Sequence, residues 1–285
     1  NKLIVGFDYT ITGHAYKCTD CPDQPNITDF DNYTVTTLAG QTGESGSTNG
    51  NIHNAKFNKP IGIAVGPSGS IYIGDSKNHL IRKIDSSGNV TTYAGKAGVP
   101  GHNNGQSSQA TFHWPSGVAV DSDGNVYVGD QNYNLIRKID SSGNVTTLAG
   151  KAGVSGSKDG IGTNSEFNSP RDVEVDSNGN VYVADYSNHL IRKISYTGNV
   201  TTLAGSGSSG FNNGPGITAN FNEPIGITID SQGNVLVADF QNHLIRKLAG
   251  VSSSTGYEND NHTYQEIFRG DTQHTVTEGT NALNL

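Results

Sequence analysis

A cassette restated at nearly constant spacing constrains this chain more than any other feature. Gly179-Asn180-Val181-Tyr182-Val183-Ala184-Asp185 leads to Asn188-His189-Leu190-Ile191-Arg192-Lys193-Ile194 and then to Asn199-Val200-Thr201-Thr202-Leu203-Ala204-Gly205. The same words recur around Asp75, Asp130 and Asp239, with Arg82, Arg137 and Arg246 following in the same register. Such self-similarity describes units that cannot bury their apolar faces alone and must stack on copies of themselves.

Apolar runs of four to six residues, rich in Val, Ile, Tyr and Thr and bounded by Ser-Gly-Asn clusters, predict strands joined by tight turns. No segment shows helical periodicity. The third unit gives the plainest pattern, with strands predicted at 171–175, 180–184, 189–194 and 200–204. Four antiparallel strands per repeat make a propeller blade, so the expected fold is an all-β propeller. Long connections carry glycines in register, at Gly40, Gly43, Gly46 and Gly50 and again 55 and 110 residues on, and are expected to be exposed Ω-like loops.

The expected organisation is five four-stranded units in one propeller domain: a degenerate blade at 1–40, then blades at 41–95, 96–150, 151–205 and 206–270, with a tail at 271–285. In the degenerate unit, residues 3–7, 14–18 and 27–30 stand for the first three strands, and 34–40 restates the fourth. Residues 263–268 read as the fourth strand of the last blade. The tail around Gly279-Thr280-Asn281 resembles Gly162-Thr163-Asn164 of an inter-blade connection, and the two ends nearly fit in register. That fits either a closed ring or a segment of a head-to-tail polymer.

The cassette resembles the NHL repeat, whose Asn-His-Leu stands here as Asn78-His79-Leu80, Asn188-His189-Leu190 and Asn242-His243-Leu244. Phe57, Phe167 and Phe221, each followed by a Pro at the third position, open the units. The second unit departs, reading Asn132-Tyr133-Asn134-Leu135. The resemblance covers residues 57–247 and implies a β-propeller, most often six-bladed in that family.

Acidic residues outnumber basic ones, 26 to 18, and the basic ones fall mostly once per cassette instead of forming a stripe, which argues against nucleic acid as a partner. No apolar run is long enough to span a membrane. A chain without Met reads as a processed product or a segment of something longer. Six Asn-x-Ser/Thr acceptors, at Asn26, Asn32, Asn89, Asn144, Asn199 and Asn261, point to a secreted, N-glycosylated protein. Asn89, Asn144 and Asn199 are one position repeated, each after a Gly in what reads as a two-residue hairpin turn. In that compartment Cys18 and Cys21 are expected to form a local disulfide, since one Cys pair falls short of a zinc site.

The repeated His79, His189 and His243 sit one per blade, too far apart to converge on a metal, and are expected to be structural. Asp75, Asp130, Asp185 and Asp239 end the second strand, where each is expected to bond its own turn and pair with the Arg of its cassette. One asymmetry stands out: Arg171-Asp172-Val173-Glu174 replaces the bland Ile61-Gly62-Ile63-Ala64. Asp172 and Glu174 share a strand face, and in a channel-lining strand they are candidates for a cation or polar ligand, the alternative being a local ion pair with Arg171 or a neighbouring blade. No catalytic constellation and no cofactor motif is present. The expectation is a non-catalytic extracellular scaffold or adhesion propeller, self-associating head to tail or meeting an extracellular protein or glycan. The alternatives are a closed propeller binding a protein or carbohydrate ligand, with His113 and Trp114 as aromatic candidates, and an enzyme of hydrolase or lyase type using Asp172 and Glu174.

Overall fold

The computed structural model describes residues 34–250. Expectations for 1–33 and 251–285 lie outside the described residues; these include the first three strands of the degenerate unit, Cys18, Cys21, Asn26, Asn32, Asn261 and the strand at 263–268. The described residues form an all-β propeller of four blades.

The first blade runs β1 (Gly50–Asn51), β2 (Pro60–Val65), β3 (Ile71–Asp75), β4 (Leu80–Ile84) and β5 (Asn89–Gly95), with sheet order β1-β5-β4-β3-β2. The second repeats it with β6 (Gly105–Gln106), β7 (Pro115–Val120), β8 (Val126–Asp130), β9 (Leu135–Ile139) and β10 (Asn144–Ala149). The third does so with β11 (Gly160–Ile161), β12 (Pro170–Val175), β13 (Val181–Asp185), β14 (Leu190–Ile194) and β15 (Asn199–Ala204). The fourth has β16 (Pro224–Ile229), β17 (Val235–Asp239) and β18 (Leu244–Leu248), in the order β16-β17-β18.

The core lies between blades. Tyr72, Ile81 and Ala94 of the first pack against Val118, Val126, Val128 and Val145 of the second. Ile136 and Ala149 then meet Phe167, Val173 and Val183, and Ile191 and Ala204 meet Phe221, Ile227 and Val237. Inner sheets are thus apolar on both faces, which is why their strands read as nearly continuous apolar runs. Each fully buried Val or Ile contributes roughly 1.5–3 kcal/mol. First strands approach so closely that a Cβ on Gly62 would overlap the Ser116 carbonyl and one on Gly117 would overlap Asp172, so only glycine fits there.

Two local expectations are corrected. The Gly-rich connections are not free-standing loops: Gly50 pairs with Val90, Gly105 with Val145 and Gly160 with Val200, giving each of the first three blades a fifth, two-residue edge strand. The turn before Asn89 is also not a two-residue Gly-Asn turn. Asp85 N–H donates to the Asn89 carbonyl, and Asp85 Oδ1 accepts the N–H groups of Ser87 and Asn89. This leaves a three-residue loop with Gly88 in the left-handed conformation, φ 76°. Among the described residues no helix is long and apolar enough to cross a membrane.

Gly143 occupies the equivalent turn with φ 78°, where a β-branched residue is strained. Gly143→Val is expected to cost about 1 kcal/mol or more, read as a lowered midpoint in chemical denaturation, whereas an unchanged midpoint would contradict the turn geometry.

Candidate functional site

Each cassette builds the same buried clamp. In the first blade Arg82 Nη1 donates to Asp75 Oδ2 at 2.8 Å and to the Lys56 carbonyl, while Nη2 donates to the Thr48 carbonyl and to Asn49 Oδ1 at 2.8 Å. The guanidinium lies 5.1 Å from the Phe57 ring centroid, a cation–π contact. Both charged side chains are fully buried. Asp75 does not cap its own turn, contrary to expectation. Its Oδ1 accepts the N–H of Asn58 at 2.7 Å, and Oδ2 accepts Asn78 Nδ2 as well as Arg82. Arg137, Arg192 and Arg246 repeat the arrangement with Asp130, Asp185 and Asp239, at 2.9, 2.9 and 2.8 Å. The residue that sequence reading missed is the connection's acceptor, which is Asn49, Asn104, Asp159 and Asn213 in turn. Its signal was a polar side chain at a fixed distance ahead of every Arg.

The second blade lacks one donor, because Tyr133 stands where Asn78 and Asn188 give an amide to the aspartate. Burial pushes Asp130 up to about 7 against the pull of Arg137, and Asp185, with the Asn188 amide, only to about 6.

The clamp sets two adjacent positions in every blade. A short turn, Ser76–Asn78 in the first, ends on His79 with φ 61°, and its N–H at Lys77 donates to the Asn58 carbonyl. Next to Asn58, Lys59 also has a left-handed backbone, φ 52°, as do Trp114, Ser169 and Glu223 at the same place. Non-glycine residues held there cost of order 1–3 kcal/mol each, and such strain gathers where side chains are aimed for use. The two positions carry different side chains in each blade: Lys59 and the buried Ser76, Trp114 and Gln131, Ser169 and Tyr186, Glu223 and Phe240. In the third and fourth blades they join, since Tyr186 Oη donates to Glu223 Oε2 at 2.6 Å, Gln241 Nε2 donates to the same oxygen, and Arg171 lies 4.9 Å from the Tyr186 ring centroid.

Two of the repeated histidines, His79 and His189, each accept a hydrogen bond from the neighbouring blade. His79 Nδ1 accepts the N–H of Trp114 at 3.3 Å, and His189 Nδ1 that of Glu223 at 3.1 Å. In the second blade Asn134 Oδ1 takes over, accepting from Ser169 at 2.8 Å. Burial, then the nearby His113, lowers the His79 pKa and keeps its ring nitrogen available as an acceptor. Trp114 is half-buried at this junction and His113 lies beside it.

Among the described residues, neither Asp172 nor Glu174 forms an ion pair with Arg171. Both reach into the fourth blade: Asp172 Oδ2 accepts the N–H of Ile227 at 3.0 Å, and Glu174 Oε2 accepts from Thr228 Oγ1 at 3.4 Å. Glu174 also lines a cleft of about 330 Å³ with Asp176, Tyr182 and Asp230. Among the described residues no three His, Cys, Asp or Glu side chains are placed to hold a metal ion. Burial pushes the Asp172 carboxyl up to about 6, against the two N–H groups it accepts, with the charge of Glu174 adding to the rise. Glu174 is also raised by burial. Asn89, Asn144 and Asn199 lie at the outer edge of their blades, opposite Asn51, Gln106 and Ile161, with Asn89 and Asn199 exposed and Asn144 half-buried.

The NHL repeat profile matches residues 57–84, 112–137, 167–194 and 221–248. This chain belongs to the NHL-repeat β-propeller family. Protein SUPPRESSOR OF QUENCHING 1, chloroplastic, of Arabidopsis thaliana is 32% identical over 232 residues, covering 76% of this chain and 22% of that protein. NHL repeat-containing protein 2 of Homo sapiens is 33% identical over 184 residues, 60% of this chain and 25% of that protein. The chain therefore spans about a quarter of the curated relatives it matches. An auxiliary nutrient binding protein from Bacteroides ovatus shares the fold, with a TM-score of 0.54 at 22% identity over 68% of this chain and 48% of that one.

Arg192→Met is expected to destabilise the protein by about 3–5 kcal/mol, because Asp185 is left buried without its cation; thermal unfolding measures it. For Asp172, a folded pKa above the unfolded one means stability that is present at low pH and lost as pH rises through about 6. Asp172→Gly, which restores the residue found at Gly62 and Gly117, is expected to flatten that loss between about pH 4 and 6 in a pH series of denaturation midpoints.

Proposed function

We propose that this propeller is a non-catalytic extracellular scaffold that holds a protein or carbohydrate partner at the clamp-bearing end of its blades, carries N-glycans on its outer edges and associates head to tail. One observation carries the reading: beside an Asp–Arg pair constant in all four blades stand strained positions whose side chains differ, Lys59, Trp114, Ser169 and Glu223. Frame and readout are separated, as in binding surfaces built on rigid scaffolds. Aromatic and hydrogen-bonding groups side by side, as in Tyr186, Glu223, Gln241 and the half-exposed Phe240, suit a sugar ring or a protein loop. Acceptors at Asn89, Asn144 and Asn199 support secretion, and their edge placement keeps glycans clear of the blade faces and of the clamp-bearing end. An enzymatic reading has weaker support, since both inner-strand carboxylates already accept hydrogen bonds from the next blade.

Protein from a secretory eukaryotic host, screened on a glycan array, tests this. Wild-type signal is expected to fall by about tenfold or more in a Trp114→Ala, Phe240→Ala double variant with unchanged folding. The intact mass is expected to drop by one glycan in Asn144→Gln. Binding that survives the double variant removes this end as the partner site, and an unglycosylated secreted chain removes the glycoprotein clause.

A further inference from the structure

We propose that residues 35–40 of one copy complete the fourth blade of another as its missing outer strand. This rests on the head-to-tail reading above, not on the partner site. Residues 35–40 are Val-Thr-Thr-Leu-Ala-Gly, the same six residues as 145–150 and 200–205, where they form the fourth strand of a blade. Here they have no sheet. Val35 is 99% exposed, whereas Val90, Val145 and Val200 are fully buried.

Their inner end is already seated for the task. Gly40 N–H donates to the Ile52 carbonyl at 2.9 Å, as Gly95 does to Ser107 and Gly205 to Gly216, and Ala39 packs on the first blade. The strand is therefore held where the outer strand of a preceding blade belongs.

The fourth blade has the matching vacancies among the described residues. Its sheet stops at β18, whose Ile245 is 78% exposed where Ile81, Ile136 and Ile191 are fully buried. Gly214 makes no edge pair, although Gly50, Gly105 and Gly160 each pair with the Val that opens a fourth strand. Asn213 Oδ1 accepts from Arg246 but has no threonine, whereas Asn49, Asn104 and Asp159 accept from Thr92, Thr147 and Thr202. Thr37 is that threonine by register.

The blade faces agree. A Cβ on Gly226 would meet only Ala238 at 3.4 Å, an ordinary contact, so nothing described presses on a glycine whose counterparts are pressed by the next blade. His243 has the left-handed geometry of an inter-blade acceptor, and Lys59 that of its donor, without a described partner for either. Ile61, Ile63 and Val65 are 48–67% exposed, while Val118, Val173 and Ile227, the counterparts of Ile63, are almost fully buried. Among the described residues of one chain, 35–40 pairs with no strand and the free edge of β18 takes none, so a second copy supplies the fit. By the pairing of β14 with β15, Ile245 faces Ala39, Arg246 faces Thr37, Lys247 faces Thr36 and Leu248 faces Val35.

Isotope-labelled Thr36→Cys chain mixed with unlabelled Lys247→Cys chain, gently oxidised and digested, tests the register, because directly opposed side chains lie within disulfide reach. A labelled peptide around 36 joined to an unlabelled peptide around 247 is expected. Chains that associate without that link overturn the strand exchange and leave head-to-tail assembly standing. A chain monomeric at every concentration by sedimentation overturns both, and a 36–247 link formed only within single chains of the double variant shows self-closure instead. Val35→Asp is expected to weaken association about tenfold or more while leaving the melting temperature of the monomer unchanged, since Val35 contributes little to its own chain. A lowered melting temperature with assembly intact would place Val35 in its own fold and overturn the exchange.

Discussion

The buried Asp–Arg clamp is the interaction on which the rest of each blade depends. Removing both charges from water costs several kcal/mol per ion, and only good geometry with every remaining polar atom engaged offsets that. Asp75 and Arg82 approach the condition by engaging Asn58, Asn78, Lys56, Thr48 and Asn49, segments that sequence separates by up to 34 residues, and among the described residues Arg82 Nε is the atom of the pair left without a partner. A strand slip of one residue would leave a buried charge without its partner. The clamp therefore holds the entry to the first strand, the turn after the second and the Gly-rich connection in one arrangement, with the Phe57 ring as its apolar platform.

Stacking is a nearest-neighbour affair. Each blade offers one face to the blade before it and one to the blade after, tied by an acceptor on the left-handed residue that closes the turn. The second blade shows which parts of the cassette matter for which purpose. Asn134 replaces His79 and keeps the inter-blade hydrogen bond, whereas Tyr133 replaces Asn78 and loses the amide that relieves the buried aspartate. Asp172 is another substitution with a physical logic, since its side chain reaches across the crowded first strands to an N–H of the next blade.

Much of the fold was legible because β-strands declare themselves through apolar runs and turn residues. The predicted strands of the third blade match β12 to β15 within a residue at each end. The two-residue edge strands were not legible, because Gly160–Ile161 carries no pattern and exists only by pairing with β15. Of the candidate site, the structural role of the histidines was readable from their spacing, but their partners were not. The shared face of Asp172 and Glu174 was readable too, yet their contacts with Ile227 and Thr228 of the fourth blade depended on how closely the first strands approach.

Sequence by itself determined that this chain is a stack of equivalent β units, which residues of each unit face inward, and where Asn acceptors recur at the turn into the fourth strand. Those properties are local and periodic, so they survive in a linear text. Tertiary structure decided which carbonyls the arginines reach, which N–H His79 and His189 receive, and that residues 35–38 lie exposed at the first blade while the fourth blade has three strands among the described residues. Periodicity specifies that a face must be covered, but what covers it depends on distances between segments far apart in the chain.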